Sequence, residues 1–286
     1  MAEECNTIKQ NLGLSKCKNL PTQPKIMFTT PRNFTFTEAQ LTDSTFWQEA
    51  IKAGRASRVY LWPDFDMFEN ISEETQYEDT SLSYLVARQG NYRFKFSIHQ
   101  SMCLHRAMFS HASNNDRVVI VDQKNQALVT KLGTDSYAGL SLQLLNPEKL
   151  MINDGSVTSK SPILVALRDH LEVDENGYTF SMPFINSLER LTDVDIAVVG
   201  TPNATTIVVT VKASCDGTTI EGLVLADFVK LATGGAVETI DSVVYADGQY
   251  TLTGLAFTTG TVNLVASDEL SLDAYESTGA ATVTIA

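Results

Sequence analysis

The clearest pattern in this sequence is the segment Tyr92-Arg93-Phe94-Lys95-Phe96-Ser97-Ile98, in which apolar and polar side chains alternate. Successive side chains of a strand point to opposite faces, so this segment predicts a strand with one apolar and one polar face. The β-branched run Val118–Val121 predicts a second strand, and Ala127–Val129 predicts its hairpin partner across a polar turn. We therefore interpret Tyr84–Lys131 as the central antiparallel sheet of a large N-terminal domain.

Length and composition indicate a globular chain. Its 286 residues suffice for one large domain or two ordinary ones, and 43% of them are hydrophobic. No apolar run approaches the roughly 18 residues that span a membrane. The segment Met1–Cys5 is acidic and lacks the apolar stretch of a secretory signal. We therefore expect no membrane association and folding in a cytoplasm.

The charge balance disfavours a nucleic-acid-binding protein. The net charge is −13, and residues 199–286 carry only two basic side chains against ten acidic ones. Binding to phosphates requires clustered Lys and Arg, which this composition does not supply. An acidic surface fits a soluble protein, or a wall that repels DNA.

The cysteines and histidines do not follow a metal-ligand pattern. Cys5, Cys17, Cys103 and Cys215 fit no zinc module, and we predict free, buried thiols in a reducing cytoplasm. The sequence also clusters His99, Cys103, His105 and His111, but the spacing H-x3-C-x-H-x5-H is not a known ligand set. We interpret these side chains as satisfied polar groups near a subunit contact and predict no metal site.

Motifs of catalysis are also missing from the sequence. The acidic segment 64–79 lacks the D-x-D-x-D-G order of an EF-hand, and the chain has no G-x-S-x-G or phosphate loop. Asp169-His170 near Ser161 is too weak a pattern to define a hydrolase triad. We predict no cofactor and no enzymatic activity.

Two polar segments of the N-terminal domain predict contact arms. Residues 1–33 contain three prolines and little periodicity, which favours an extended arm. Residues 64–81 read as a long acidic loop, and long loops inside compact domains are commonly functional. We expect helical structure only in one or two short segments, the clearest being Trp47–Ala53.

The 64–81 segment contains too many large apolar side chains for a solvated loop. Burying each of them is worth roughly 1.5–3 kcal/mol, and a neighbouring subunit is a natural place for burial. We expect its carboxylates to pair there with Arg55, Arg58 or Arg88. The predicted inter-subunit contact residues are Phe65, Met67, Phe68, Ile71 and Tyr77.

Beyond Val199–Pro202 the composition shifts to Thr, Val, Ala and Gly, with short strands about ten residues apart. Turn signals such as Ala246-Asp247-Gly248 separate these strands, a pattern typical of an immunoglobulin-like β-sandwich. The sequence thus predicts a mainly β chain. We expect residues 1–199 to form an antiparallel β-sandwich or barrel domain with one or two short helices, and residues 200–286 to form the immunoglobulin-like domain.

This layout resembles the tail tube proteins of long-tailed bacteriophages, some of which carry an immunoglobulin-like module on the outside of the tube. The segments Glu69–Glu74, Asn91–Phe96 and Asn153–Val157 also look like those of structural proteins from phages of Bacteroides-type bacteria. The resemblance implies a subunit whose sheet joins those of its neighbours in a ring, expected to be a hexamer, in a virion assembled in the host cytoplasm. Other virion proteins would be its partners, and DNA would be a non-specific cargo.

Two other classes of protein remain open at this point. One is a head-decoration, fibre or connector protein of a phage particle. The other is a bacterial surface adhesin or carbohydrate-binding protein, against which the acidic N-terminal segment counts.

Overall fold

A computed structural model describes residues 21–286, except 54–55, 80–83, 100, 114, 154, 156–157, 265–274 and 286. The described chain forms two compact units, one reaching to Leu188 and the other running from Glu189, with Lys52–Gly54 grouped with the second. Both units are built mainly from antiparallel strands. The predicted mainly β fold is confirmed.

Twelve strands and four short helices make up the described part of the first unit. The helices are α1 Glu38–Leu41, α2 Ser44–Lys52, α3 Met102–Ser110 and α4 Leu171–Asp174. The strands are β1 Pro24–Thr30, β2 Tyr60–Leu61, β3 Met67–Asn70, β4 Gln76–Asp79, β5 Tyr84–Arg88, β6 Arg93–Ile98, β7 Arg117–Asp122, β8 Gln126–Gly133, β9 Ser136–Ala138, β10 Leu140–Pro147, β11 Ser161–Leu167 and β12 Gly177–Ser181. One turn of 3-10 helix, Ile185–Ser187, follows them.

Ten of these strands form one sheet in which β10 links two groups. The main path runs β12-β8-β7-β10-β11-β6-β3, while β1 pairs with β7 and β2, and β9 pairs with β8. At its start β10 pairs with β7 through Leu140 and Val118. From Leu142 onward it pairs with β11, with a register shift between Leu142 and Leu144. Side chains from both groups, including Met27, Phe96 and Val165, share one buried core. This arrangement is the expected sandwich or barrel.

The predicted central sheet is confirmed for β6, β7 and β8, but the segment between β6 and β7 forms a helix. Ser101 Oγ accepts a hydrogen bond from the backbone N–H of Leu104 and so caps the N-terminus of α3. Cys103 and His105 therefore lie on this helix and not in the predicted sheet. The chain also has more helices than the one or two expected, because α1 and α4 add single turns.

The N-terminal arm prediction fails for the described residues 21–33. Strand β1 lies between β2 and β7, and five of its seven residues are buried. The apolar run Ile26-Met27-Phe28 drives this burial, and Phe28 packs on Trp47 of α2 with 5.0 Å between ring centroids. The remainder of the predicted arm, residues 1–20, lies outside the described residues.

The second unit is a β-sandwich with the strand arrangement of an immunoglobulin domain. One sheet has the order β17-β18-β14-β13-β20 and the other β16-β15-β19-β21. When letters are assigned in chain order and the short strands β16 and β20 are left out, the first sheet contains strands D, E, B and A, and the second contains C, F and G. The strands are β13 Thr192–Val199, β14 Thr206–Ala213, β15 Phe228–Ala232, β16 Val237–Glu238, β17 Ser242–Ala246, β18 Gln249–Thr253, β19 Gly260–Leu264, β20 Tyr275–Ser277 and β21 Ala281–Val283, with a 3-10 turn at Leu225–Asp227.

The predicted boundary at residue 199 falls too late in the chain. Strand β13 pairs with β14 along six residue pairs, and its buried Val194 and Ile196 belong to the core of the second unit. The compositional shift follows β13 because that strand still carries Asp193 and Asp195 on its exposed face. The second unit therefore begins at Glu189.

The prediction of free thiols is wrong for Cys103 and Cys215. Both are disulfide-bonded, and no cysteine in the described ranges is free. The prediction assumed a reducing compartment, whereas the fold brings each of these sulfur atoms to another cysteine. Cys5 and Cys17 lie outside the described residues. Among the described helices, none has the length and apolar character needed to cross a membrane.

Candidate inter-subunit surface

Residues 64–81 were expected to be a loop, but they contain two strands, β3 and β4. The residues before β3 are also held in place by backbone hydrogen bonds. Strand β3 pairs with β6, with Phe68 opposite Phe96. The backbone N–H of Phe65 donates to the Lys25 carbonyl at 2.8 Å, and that of Asp66 donates to the Ser97 carbonyl at 3.0 Å. The segment is therefore held along the edge of the main sheet rather than extending freely.

Two of the five predicted contact residues pack within their own unit. The ring of Phe65 stacks on Phe96 with 4.3 Å between centroids, and the ring of Phe68 lies 5.4 Å from Phe96 and 5.7 Å from Phe94. Both rings cover the core of the first unit. Their apolar character is explained without a neighbouring subunit.

The other three predicted contact residues are exposed. Met67 is 48% exposed, Ile71 37% and Tyr77 64%. Met67 alternates with Phe68 along β3, so the pairing with β6 turns one side chain inward and the other outward. These three side chains form the exposed apolar part of this surface.

From Ile71 to Glu73, just before the β4–β5 hairpin, the backbone is hydrogen-bonded to the chain that follows the hairpin. The backbone N–H of Ile71 donates to the Arg93 carbonyl at 3.0 Å, and that of Glu73 donates to the Asn91 carbonyl at 3.1 Å. An ion pair of 2.9 Å joins Arg93 Nη1 to Glu73 Oε1. Gly90 approaches so closely that a Cβ atom there would lie 1.9 Å from the Glu73 carbonyl oxygen. This close packing fixes the direction in which the hairpin leaves the unit.

The hairpin itself is a two-stranded sheet separate from the main one. Strands β4 and β5 pair antiparallel with a bulge between Gln76 and Tyr77, and all four residues of β4 are exposed. Within the described chain these strands pair only with each other. An isolated two-stranded hairpin is marginally stable in water, and its edges can accept further strands. The hairpin is therefore a candidate site for strand pairing with a second subunit.

Of the three basic residues predicted to pair with this surface, only the side chain of Arg58 is described, and it is buried. Arg58 is only 5% exposed, with its guanidinium carbon 5.9 Å from the centroid of the Tyr60 ring. Its burial makes it a poor partner for the carboxylates of a second subunit. Arg55 and the side chain of Arg88 lie outside the described residues.

The histidines that cluster in the sequence occupy separate environments. His99 Nδ1 lies 3.1 Å from Asp66 Oδ2, whereas His105 Nδ1 lies 3.0 Å from Ser161 Oγ. The His111 ring packs against Tyr60 with 4.4 Å between centroids. In the part of the chain that the structure describes, no group of three potential ligands could hold a metal ion.

Comparisons with known proteins do not add to this picture. No family model matches the chain, and no curated protein matches it either. The functional interpretation depends on the residues and contacts described above.

Proposed function

We propose that this chain is a structural subunit of a bacteriophage virion, most specifically a tail tube subunit that polymerises into rings around a DNA-conducting channel. The observation that supports this best is the β4–β5 hairpin, which carries the exposed Tyr77, together with the exposed Met67 and Ile71 that precede it in the chain. Its strands offer backbone groups for pairing, and the exposed side chains offer an apolar contact. Both features are used when a second copy adds to a sheet edge.

The charge of the chain fits a channel through which DNA must move. The net charge is −13, so a wall lined by this surface repels phosphates instead of holding them. In this proposal, DNA is a cargo without specific contacts, and the partners are further copies of the chain and other virion proteins. Assembly takes place in the cytoplasm of the host bacterium.

Electron microscopy of the purified full chain at high concentration tests the proposal. Rings or stacked tubes with a central channel are the expected result, with six subunits per ring. A chain that remains monomeric and binds empty capsids would instead be a head-decoration protein. A single ring that does not stack would indicate a connector.

A bacterial surface adhesin is the second candidate, and the cysteines favour it. Cys103 and Cys215 are disulfide-bonded, and stable disulfides are typical of oxidising compartments. Electron microscopy with and without reductant, together with a glycan-binding assay, separates the two functions. A monomer that binds glycans and loses stability on reduction supports an adhesin, whereas tubes that persist in reductant support a tail tube subunit.

A further inference from the structure

Strand β17 forms an edge of the β-sandwich in the second unit. Within the described chain it pairs only with β18, along all five of its residues and without a register shift. Of the four described strands at the edges of the two sheets it is the longest, because β16 has two residues and β20 and β21 have three each. Alternate backbone N–H and C=O groups of an outer strand point away from its neighbour, so β17 can pair with a further strand.

The side chains of β17 leave this edge open. Proteins commonly block an exposed edge with Lys, Pro or a bulge, and β17 contains no charged residue, no proline and no bulge. Ser242, Val244 and Ala246 are exposed on one face, and Val244 is 57% exposed. On the other face, Val243 and Tyr245 pack against the core but are only partly buried. Apolar side chains of an added strand would complete the burial of these two residues.

Carboxylates surround this uncharged edge. Asp241 and Asp247 directly precede and follow β17, and both are exposed. The Tyr245 hydroxyl donates to Glu221 Oε1 at 2.9 Å, which places a third carboxylate beside the strand. Residues 199–286 contain only two basic side chains against ten acidic ones. The charges therefore favour an occupant with basic side chains at its ends.

A second copy of β17 fits these charges poorly. Antiparallel pairing of two copies along all five residues brings Asp241 of one copy opposite Asp247 of the other at both ends of the pair. Like charges directly opposite each other destabilise a sheet, and the whole chain carries a net charge of −13. A strand from a basic partner avoids this repulsion.

We propose that the β17 edge binds an extended segment of another protein by strand addition, and that this segment has alternating apolar residues between a Lys or Arg at each end. Backbone hydrogen bonds to β17 provide affinity, and the apolar side chains cover Val243 and Tyr245. The basic ends pair with Asp241 and Asp247, which are six residues apart, or about 20 Å in an extended strand. The site lies entirely within the second unit, so it does not depend on the ring contact proposed for the first unit.

Calorimetric titration of the full chain with an acetylated and amidated Lys-Thr-Val-Thr-Val-Thr-Lys peptide tests this site. The peptide sequence reads the same in both directions, so a single register suits either strand direction. We expect a dissociation constant of about 1 mM or tighter, with weaker binding as the ionic strength rises.

Two control peptides should bind at least about tenfold more weakly. One has Glu in place of both Lys residues, and the other has methyl groups on the amide nitrogens of both Val residues and the central Thr, which block its backbone edges. If the Lys peptide does not bind at about 1 mM, or if either control binds equally well, the proposal is wrong.

Paired substitutions in the chain locate the site. Asp241→Asn combined with Asp247→Asn should weaken binding of the Lys peptide about threefold to tenfold, because two exposed ion pairs are lost. Asn also tolerates the φ of 52° at position 247. Asp193→Asn combined with Asp195→Asn removes the same charge three strands away, where it is screened, and should change binding by less than about twofold. Equal effects of the two pairs would contradict the proposal.

Val244→Lys tests the edge itself. The substitution adds a charge that repels the Lys peptide, so we expect binding to be lost, while the melting temperature is unchanged because the side chain is exposed. Undiminished binding would show that the peptide binds elsewhere. If the Lys peptide does not bind and Val244→Lys instead dissociates a dimer of the chain, the occupant is a second copy and the proposal is wrong.

Discussion

Lys230 Nζ lies 2.9 Å from Glu238 Oε2 inside the second unit, and the two residues face each other across the β15–β16 pair. Lys230 is completely buried, and its ammonium also donates to the carbonyls of Leu231 at 3.0 Å and Thr258 at 2.8 Å. These three acceptors match the three donors of an ammonium group. The pair therefore ties β15, β16 and the segment before β19 into one polar cluster.

We expect Glu238→Ala to destabilise the second unit by about 3 kcal/mol, because it leaves the buried Lys230 ammonium without its counter-charge. Denaturant unfolding of the full chain, followed by a signal from the second unit, measures this loss. Asp241→Ala removes an exposed carboxylate nearby and should change the free energy of unfolding by less than about 0.5 kcal/mol. If the two substitutions changed the unfolding free energy equally, the Lys230–Glu238 ion pair would make no specific contribution to stability.

The same carboxylate should make the second unit sensitive to acid. Burial raises the pKa of Glu238, but hydrogen bonds from Thr258 and Lys230 and the ammonium charge outweigh burial, so its pKa lies below the usual 4.5. A carboxyl whose pKa is lowered by folding contributes stability above its unfolded pKa, and this contribution is lost as the pH falls through the folded value. We expect Glu238→Gln to flatten the decline in unfolding free energy below about pH 4.5. An unchanged pH dependence would exclude this role.

Tyr250 links strand β18 to the connection between β14 and β15. Its hydroxyl donates to the Ile220 carbonyl at 2.8 Å and accepts from the Leu223 N–H at 3.2 Å, and the side chain is fully buried. We expect Tyr250→Phe to cost about 1–3 kcal/mol, because both backbone groups lose a buried partner. Urea unfolding measures this loss of unfolding free energy, and Tyr245→Phe, at a partly exposed position, is the control.

Substitutions in the candidate inter-subunit surface should separate assembly from folding. We expect Met67→Ser and Tyr77→Ser to prevent rings or tubes while changing unfolding free energy by less than about 0.5 kcal/mol, since both side chains are exposed. Phe65→Ser should instead destabilise the first unit by about 1.5–3 kcal/mol through loss of its contact with Phe96. Light scattering and microscopy report assembly. Normal tubes from the Met67 and Tyr77 variants would show that this surface is not the contact.

Local patterns in the sequence predicted the second unit well. Its strands alternate regularly, and the turn Asp247-Gly248 has positive φ at both residues, as a two-residue hairpin requires. Helix α3 was missed although Ser101 stands as a cap before a run without Gly or Pro, because the surrounding strands dominated the interpretation. Strand β1 was missed because its flanking prolines suggested an arm, while its burial comes from pairing with the distant β7.

The candidate surface could be predicted only in part from the sequence. The sequence identified an unusual number of apolar side chains between residues 64 and 81, but not which of them point inward. That division depends on the pairing of β3 with β6, which brings Phe68 opposite Phe96 and leaves Met67 outside. A cavity lined by Thr29, Tyr60 and Asp116, among other residues, left no local signal in the sequence, because its lining comes from segments far apart in the chain.

The parallel pairing of β13 with β20 has a consequence for the order in which a nascent chain can fold. Thr192 pairs with Tyr275 and Val194 with Ser277. One edge of β13 therefore stays unpaired until β20 has been synthesised, about 80 residues later. During synthesis, β13 and β14 can form a hairpin early, but this edge is completed only after β20 has left the ribosome. Until then the open edge can pair with another unfinished chain, so slow translation through residues 206–264 should favour misassembly between nascent chains.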